Sequence, residues 1–283
     1  VKIFLTGADG ALGSEMQNLL RREKISFMPV DIKQFDITDF RKTNETVLSY
    51  HPDIILHFAA ISDVDKCEND PDLAYRTNAL GCLGLATVAR KINAKILYTS
   101  TNFVFDGKKE TGYYEGDPTQ PISVYGRSKL AGENFIRDLA EHFFIVRTAW
   151  LFGKNSKTFI TRFLANPEKP PAIDVVCDQI GSFTYIPDLA EAIFTLIKSE
   201  NYGVFHLINQ GSASWLEFTL QAKDHLMFKT ELQPVKTEEL NLPAPRPAFG
   251  YLLSRHYEFF FERSMRKWEA ALADFLKELP SQR

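Results

Sequence analysis

Cysteine is scarce in this chain, basic residues are not in excess, and no long apolar run occurs. The three cysteines, Cys67, Cys82 and Cys177, are odd in number and lack metal-ligand spacing. This excludes a disulfide framework and reads as reduced, structural thiols. Six histidines, His51, His57, His142, His206, His225 and His256, are scattered singly, so no metal site is expected. Lys and Arg number 33 against 36 Asp and Glu, a formal charge of −3. That balance excludes nonspecific nucleic-acid binding, which needs a basic surface to neutralise phosphates. No apolar run approaches the roughly 20 residues needed to span a bilayer, and no signal-peptide pattern opens the chain. No internal repeat or low-complexity segment is evident. A cytoplasmic protein with neither nucleic acid nor membrane as partner is expected.

What is present is ordinary in bulk and specific in pattern. Hydrophobic residues make up 45% and charged residues 24% of 283 positions, enough for a large core in one α/β unit, with or without a smaller lobe. Lys2-Ile-Phe-Leu-Thr6 reads as a buried strand running into Gly7-Ala-Asp-Gly10-Ala-Leu-Gly13, followed by the helical spacing Met16, Leu19, Leu20. Glycines there let the backbone approach a pyrophosphate, whose charge rests on the free N–H groups of the helix start. After a second apolar strand, Phe27-Met-Pro-Val-Asp31, Asp31 stands where an acid meets the adenosine ribose. Asp31 favours NAD, whereas Lys33 and Lys2 offer partners to the 2′-phosphate of NADP, and the choice stays open.

Strand-like runs at Ile54–Phe58, Lys95–Thr99 and Phe143–Val146 alternate with helical patterns over 39–50, 74–91 and 125–140. Such alternation predicts a Rossmann-type, doubly wound parallel sheet, with its ligand crevice at the carboxyl ends of the strands. Gly7, Asp31, Ala59-Ala60, Ser100-Thr101 and Thr148 fall at those ends. Beyond Trp150 the rhythm changes, with a breaker at 166–171 and a proline-rich patch at Leu242–Pro247. A dinucleotide-binding domain over 1–155 and a smaller, mainly substrate-binding lobe over 156–283 are expected. Asp174–Asp178 reads as a strand of the lobe, and a helix near 187–199 returns to the first domain.

The most informative stretch is Ser123-Val-Tyr125-Gly-Arg-Ser-Lys129. Four residues apart at a helix start, Tyr125 and Lys129 share a face. An ammonium beside a phenol lowers the phenol pKa from about 10 and makes a proton donor for a carbonyl undergoing reduction. The bland alternative is a helix-surface pair.

With Gly7/Gly10/Gly13, Asp36–Asp39, Ala59-Ala60 through Glu68, Ser100–Gly107, Tyr125/Lys129, Val146–Trp150, Asp178–Gly181 and Arg246-Pro247, the chain resembles an extended short-chain dehydrogenase/reductase, most closely the dTDP-4-dehydrorhamnose reductase family, nearly end to end. The resemblance implies hydride transfer from NADPH or NADH to the C4 ketone of a nucleotide-linked 4-keto-6-deoxy sugar. Its implied catalytic residues are Thr101, Tyr125 and Lys129. Gly7, Gly10, Ala11, Leu12, Gly13, Asp31, Asp36, Ile37, Ala59, Ala60 and Ser100 would contact the cofactor together with Tyr125 and Lys129. Asn102, Trp150, Gln179 and Arg246 would contact the substrate, Arg246 through the diphosphate.

Two departures qualify the match. Asn102-Phe103 replaces the family's Asp-Tyr pair after the catalytic threonine, removing a carboxylate and a phenol. Some members bind magnesium through glutamates at a dimer contact; Glu15 matches one, but Pro187 and Asp188 occupy the region of another, so neither a metal nor that particular homodimer is expected. A dehydratase or epimerase is a rival enzyme, yet Asn102-Phe103 lacks the acid and base an elimination needs. A noncatalytic cofactor-binding regulatory subunit is the other rival.

Overall fold

The computed structural model describes residues 1–156, 158–166 and 169–279. Pro167 and Glu168 of the expected breaker lie outside that set. The first half runs β1 (Lys2–Thr6), α1 (Ala11–Arg22), β2 (Ser26–Val30), α2 (Phe40–Tyr50), β3 (Ile54–His57), α3 (Val64–Asn69), α4 (Pro71–Tyr75), a π turn (Arg76–Leu80), α5 (Gly81–Lys91), β4 (Lys95–Thr101), a 3₁₀ turn (Asn102–Val104), α6 (Val124–Leu139) and β5 (Phe143–Thr148). The remainder runs β6 (Leu151–Phe152), α7 (Phe159–Ala165), β7 (Ala172–Val176), β8 (Ile180–Gly181), β9 (Thr184–Tyr185), α8 (Ile186–Ile197), β10 (Gly203–His206), β11 (Ala213–Ser214), α9 (Trp215–Leu226), β12 (Glu231–Val235), a 3₁₀ turn (Thr237–Leu240), β13 (Phe249–Gly250), α10 (Arg255–Phe261) and α11 (Trp268–Glu278).

The main sheet is parallel throughout, in the order β10-β5-β4-β3-β1-β2. Its strands are apolar on both faces because helices cover both. Alternation still sorts the side chains: Ile3, Leu5, Ile54, Leu56, Leu97, Phe144 and Val146 pack under α1 and α8. Phe4, Ile55, Ile96, Tyr98 and Ile145 face α2, α5 and α6. The chain winds outward in both directions from between β1 and β3, so the crevice opens there.

A second core is built mainly from aromatic rings. Phe152, Phe163, Phe183, Tyr185, Phe218, Phe228, Trp268 and Phe275 gather between α7, α9 and α11, with Phe183 stacked on Phe218 at 3.9 Å between centroids. The expected strand at 174–178 is β7, paired in parallel with β12. The returning helix is α8, and β10 returns with it as the edge of the main sheet. No described helix is long and apolar enough to cross a membrane.

Candidate active site

The glycine turn after β1 makes a cradle at the winding point. Gly7 has φ +70°, and a Cβ there would lie 2.6 Å from the Ala59 nitrogen. At Gly13 a Cβ would lie 2.1 Å from the Gly7 carbonyl oxygen. Bare backbone is therefore required at both positions. Helix α1 starts from an extended Gly10 with no side-chain cap and no acid in its first turn, so its leading N–H groups are free to receive an anion. Gly10 is exposed, Leu12 is buried, and Ala11 is half-buried. The arrangement fits a dinucleotide pyrophosphate.

Asp31 follows β2, its Oδ2 accepting from the Asp9 N–H at 2.9 Å. Lys33 stays at the same end, its Nζ 2.9 Å from Asp9 Oδ2. Lys2 does not: it opens β1 at the opposite edge of the sheet, its N–H bonded to Asp53 and its ammonium over the Tyr50 ring. Expectation is corrected here, because a five-residue strand separates the two ends and Lys2 cannot reach a 2′-phosphate. Asp36 is exposed and caps the Thr38 N–H. The Ile37 side chain is buried against Gly81, and its carbonyl accepts from the Thr43 hydroxyl at 3.3 Å.

Ser123 caps α6, accepting from the Gly126 N–H at 3.2 Å, while the Val124 N–H is taken by Glu68 at 2.9 Å. These two bonds fix the helix start and set Tyr125 beside the end of β4. The Tyr125 ring packs edge-on against Phe103 at 5.5 Å, two residues past Thr101 at the end of β4. Burial pushes the phenol up to about 12, against the Thr101 hydroxyl, which pulls it down. Lys129 does not depress it as the i, i+4 spacing suggests. Its ammonium donates instead to the Thr99 carbonyl at 2.7 Å and lies 4.1 Å from the Tyr98 ring centre, so the charge is spent on β4. Burial lowers Lys129 itself to about 8, with Cys82, Glu133 and Cys67 pulling upward. Beneath it, His57 is held neutral by burial and by the Lys129 charge, at about 3, and its Nδ1 pairs with Thr6 Oγ1 at 2.8 Å.

The other expected residues divide between open and committed side chains. Ser100 donates to Glu133 at 2.6 Å within the core, so its hydroxyl serves the scaffold. Asn102 is buried and links Thr101 Oγ1, 3.3 Å from its Oδ1, to the Gly250 carbonyl, 3.1 Å from its Nδ2. Gln179 is buried and donates to Thr237 Oγ1 at 2.9 Å. Trp150 has φ +42°, a left-handed backbone that costs a bulky residue energy. Its half-buried ring meets Trp215 at 4.4 Å and Phe183 at 4.9 Å, and it lies directly over Gly181, where a Cβ would be 2.8 Å away. Arg246 is gripped by Asp65 through two bonds of 2.7 and 2.6 Å.

Several functional supports escaped sequence reasoning. Arg147 and Glu133, 1% and 0% exposed, form a two-bonded ion pair of 2.8 and 2.7 Å that anchors Ser100. Asn78, also buried, ties Ile61 in the loop after β3 to Ser128 on α6. A charged residue inside an apolar strand, as in Ile145-Val-Arg147, is a signal that a buried partner exists; it does not say which one. Glu15 is raised by burial and by Glu278, with Glu191 a smaller contributor, so its acidic neighbours are these rather than Asp188, which faces Arg266 and Asn209. Glu191 is held by Arg22 and Glu278 by Tyr185. Among the described residues no group of three or more His, Cys, Asp or Glu is placed to hold a metal ion.

Comparison with known proteins matches residues 1–281 to the RmlD substrate binding domain. The spore coat polysaccharide biosynthesis protein SpsK of Bacillus subtilis is 36% identical, covering 99% of this chain and 98% of its own. The dTDP-4-dehydrorhamnose reductase of Mycobacterium tuberculosis is 33% identical, with 97% and 92% covered. A crystal structure of the dTDP-4-dehydrorhamnose reductase of Bacillus anthracis in complex with NADP matches with a TM-score of 0.95 at 38% identity, covering 98% and 99%.

Proposed function

We propose that this chain, which belongs to the dTDP-4-dehydrorhamnose reductase family of the RmlD substrate binding domain, reduces the C4 ketone of a nucleotide-linked 4-keto-6-deoxy sugar, dTDP-4-dehydro-L-rhamnose being the first candidate. NADPH or NADH supplies the hydride when bound. The observation that carries this reading is Tyr125 and buried Lys129 on one face of α6, set against the Thr99–Phe103 end of β4 at the strand ends that also hold the glycine cradle.

Tyr125 is protonated at neutral pH, and a phenol can give its proton to an alkoxide, a much stronger base. Thr101, turning its one O–H away from Asn102 Oδ1 when substrate enters, donates to the same oxygen, orienting the carbonyl and stabilising the developing charge. Lys129, with N–H groups left beyond the one given to Thr99, holds the ribose hydroxyls. Glu133, Arg147 and Ser100 keep the end of β4 rigid, and Asn102 holds the Thr101 proton until substrate arrives. Gly7, Gly10, Gly13, Asp31, Ala59 and Ala60 bind the cofactor. Trp150, Asn102, Gln179 and Arg246 belong to the substrate wall. A cytoplasmic homodimer goes with this reading, and light scattering of purified protein checks the dimer.

The test follows reduced-cofactor absorbance while purified protein meets NADPH or NADH and a panel of 4-keto-6-deoxy nucleotide sugars. Consumption with at least one sugar is expected. Cofactor binding with no consumption across the panel would turn the reading to the regulatory subunit.

A further inference from the structure

Arg246 is the one candidate substrate ligand whose charge is already engaged. Asp65, in the first turn of α3, takes it with both oxygens: Nη1 donates to Oδ1 at 2.7 Å and Nη2 to Oδ2 at 2.6 Å. Asp65 Oδ1 also accepts the Ala244 N–H at 3.1 Å, and Arg246 Nη1 returns a bond to the Ala244 carbonyl. The guanidinium side chain is 14% exposed and the carboxylate 31%. A guanidinium has five N–H groups in two usable forks. With Nη1 fully used and Nη2 used once, the fork left among the described residues is Nε with the outer N–H of Nη2, an edge that can donate two parallel hydrogen bonds to a phosphate.

The pair also joins two walls of the crevice. Helix α3 follows the Ala59-Ala60 loop, and its Glu68 holds the start of the Tyr125 helix. Arg246 belongs to a strap, residues 244–250, that is fastened again where the Gly107 carbonyl accepts from the Phe249 N–H at 3.0 Å and where Asn102 reaches Gly250. Helix α3 and the strap are thereby held in one relation, set by a contact 181 residues apart in sequence.

We propose that Asp65 is a positioning residue: it grips one edge of the Arg246 guanidinium and so aims the free fork at the diphosphate of the nucleotide-linked substrate. This rests on the functional reading above. Removing the carboxylate leaves Arg246 free to rotate, and misplacement of such a clamp costs roughly ten- to a hundredfold. If Asp65 instead only competes with phosphate for Arg246, its removal tightens binding.

The experiment uses the full chain loaded with NADPH, titrated calorimetrically with thymidine diphosphate and, separately, with thymidine. Asp65→Asn is expected to weaken diphosphate binding by roughly tenfold or more while leaving thymidine and NADPH binding unchanged; Asp65→Glu recovers part of the loss. In turnover the same variant raises KM and changes kcat little. Arg246→Gln should show the same loss, and adding Asp65→Asn to it should cost nothing further. Diphosphate binding by Asp65→Asn equal to or tighter than wild type overturns the proposal, as do additive losses in the double variant or a wild-type protein that does not bind the diphosphate. A wild type that binds the diphosphate yet reduces no sugar refutes the reductase reading and leaves the Asp65 contrast readable.

Discussion

Replacing Lys129 by methionine should make the cofactor-free protein more stable while abolishing its activity. Lys129 is 2% exposed, and methionine matches its length without charge or branching. Its pKa stands at about 8 in the fold against 10.5 in the open chain, a shift worth about 3 kcal/mol, all of it against the folded state at pH 7. From that gain one subtracts the Thr99 carbonyl left without its donor, about 1–3 kcal/mol. The net is a variant roughly 1 kcal/mol more stable, or about 2–4 °C in Tm.

The sign with pH is specific. Between pH 8 and 10.5 the unfolded chain holds a proton on Lys129 that the native protein has released, so this group's penalty fades as pH rises through that window. Below pH 8 the penalty is nearly complete. Buried thiols and phenols such as Cys82 and Tyr125, both pushed up to about 12, act oppositely, yet they are common to both proteins and cancel in the difference. Urea unfolding of wild type and Lys129→Met from pH 6 to 10.5 should show a stability gap that is constant at first and closes above pH 8. A variant no more stable than wild type at pH 7, or a gap unchanged at pH 10.5, refutes the argument that a buried charge is being held against its solvation.

Three further outcomes are expected. Tyr125→Phe should keep NADPH affinity, read by fluorescence, and lower turnover by roughly 10²–10⁴, the usual worth of a positioned proton donor. Glu133→Gln strips the buried Arg147 of its carboxylate and should cost about 3–5 kcal/mol in denaturant unfolding; a loss below about 1 kcal/mol would mean the pair contributes little. Asp31→Asn removes the acid beside the cradle and should shift the NADPH to NADH ratio of kcat/KM toward NADPH by roughly fivefold, the scale of a solvent-exposed charge contact; a ratio unmoved or shifted toward NADH would detach Asp31 from cofactor choice.

The main sheet was legible because its strands carry their own signal. Ile54–His57 is buried at every position, as an apolar run covered by helices on both faces must be, and the glycine turn is followed by the helical spacing Met16, Leu19, Leu20. Asp174–Asp178 was placed within two residues of β7. Less legible were β10 and the aromatic core of Phe183, Phe218 and Trp268. Gly203–His206 is too short to declare a partner, and rings scattered from 152 to 275 meet only through tertiary packing.

At the site, spacing identified which residues gather but not where their bonds are spent. The i, i+4 rule brings Lys129 to the Tyr125 face, yet a four-carbon side chain has a choice of acceptors, and the Thr99 carbonyl with the Tyr98 ring outcompetes a neutral phenol for an ammonium. The same holds for Arg246, whose guanidinium finds a carboxylate before any substrate arrives. Such commitments depend on partners 30 to 181 residues away, which no local pattern encodes. They also bear on function: a side chain already anchored loses less freedom when a ligand binds, so the bonds that sequence reading missed are the ones that make this crevice preorganised.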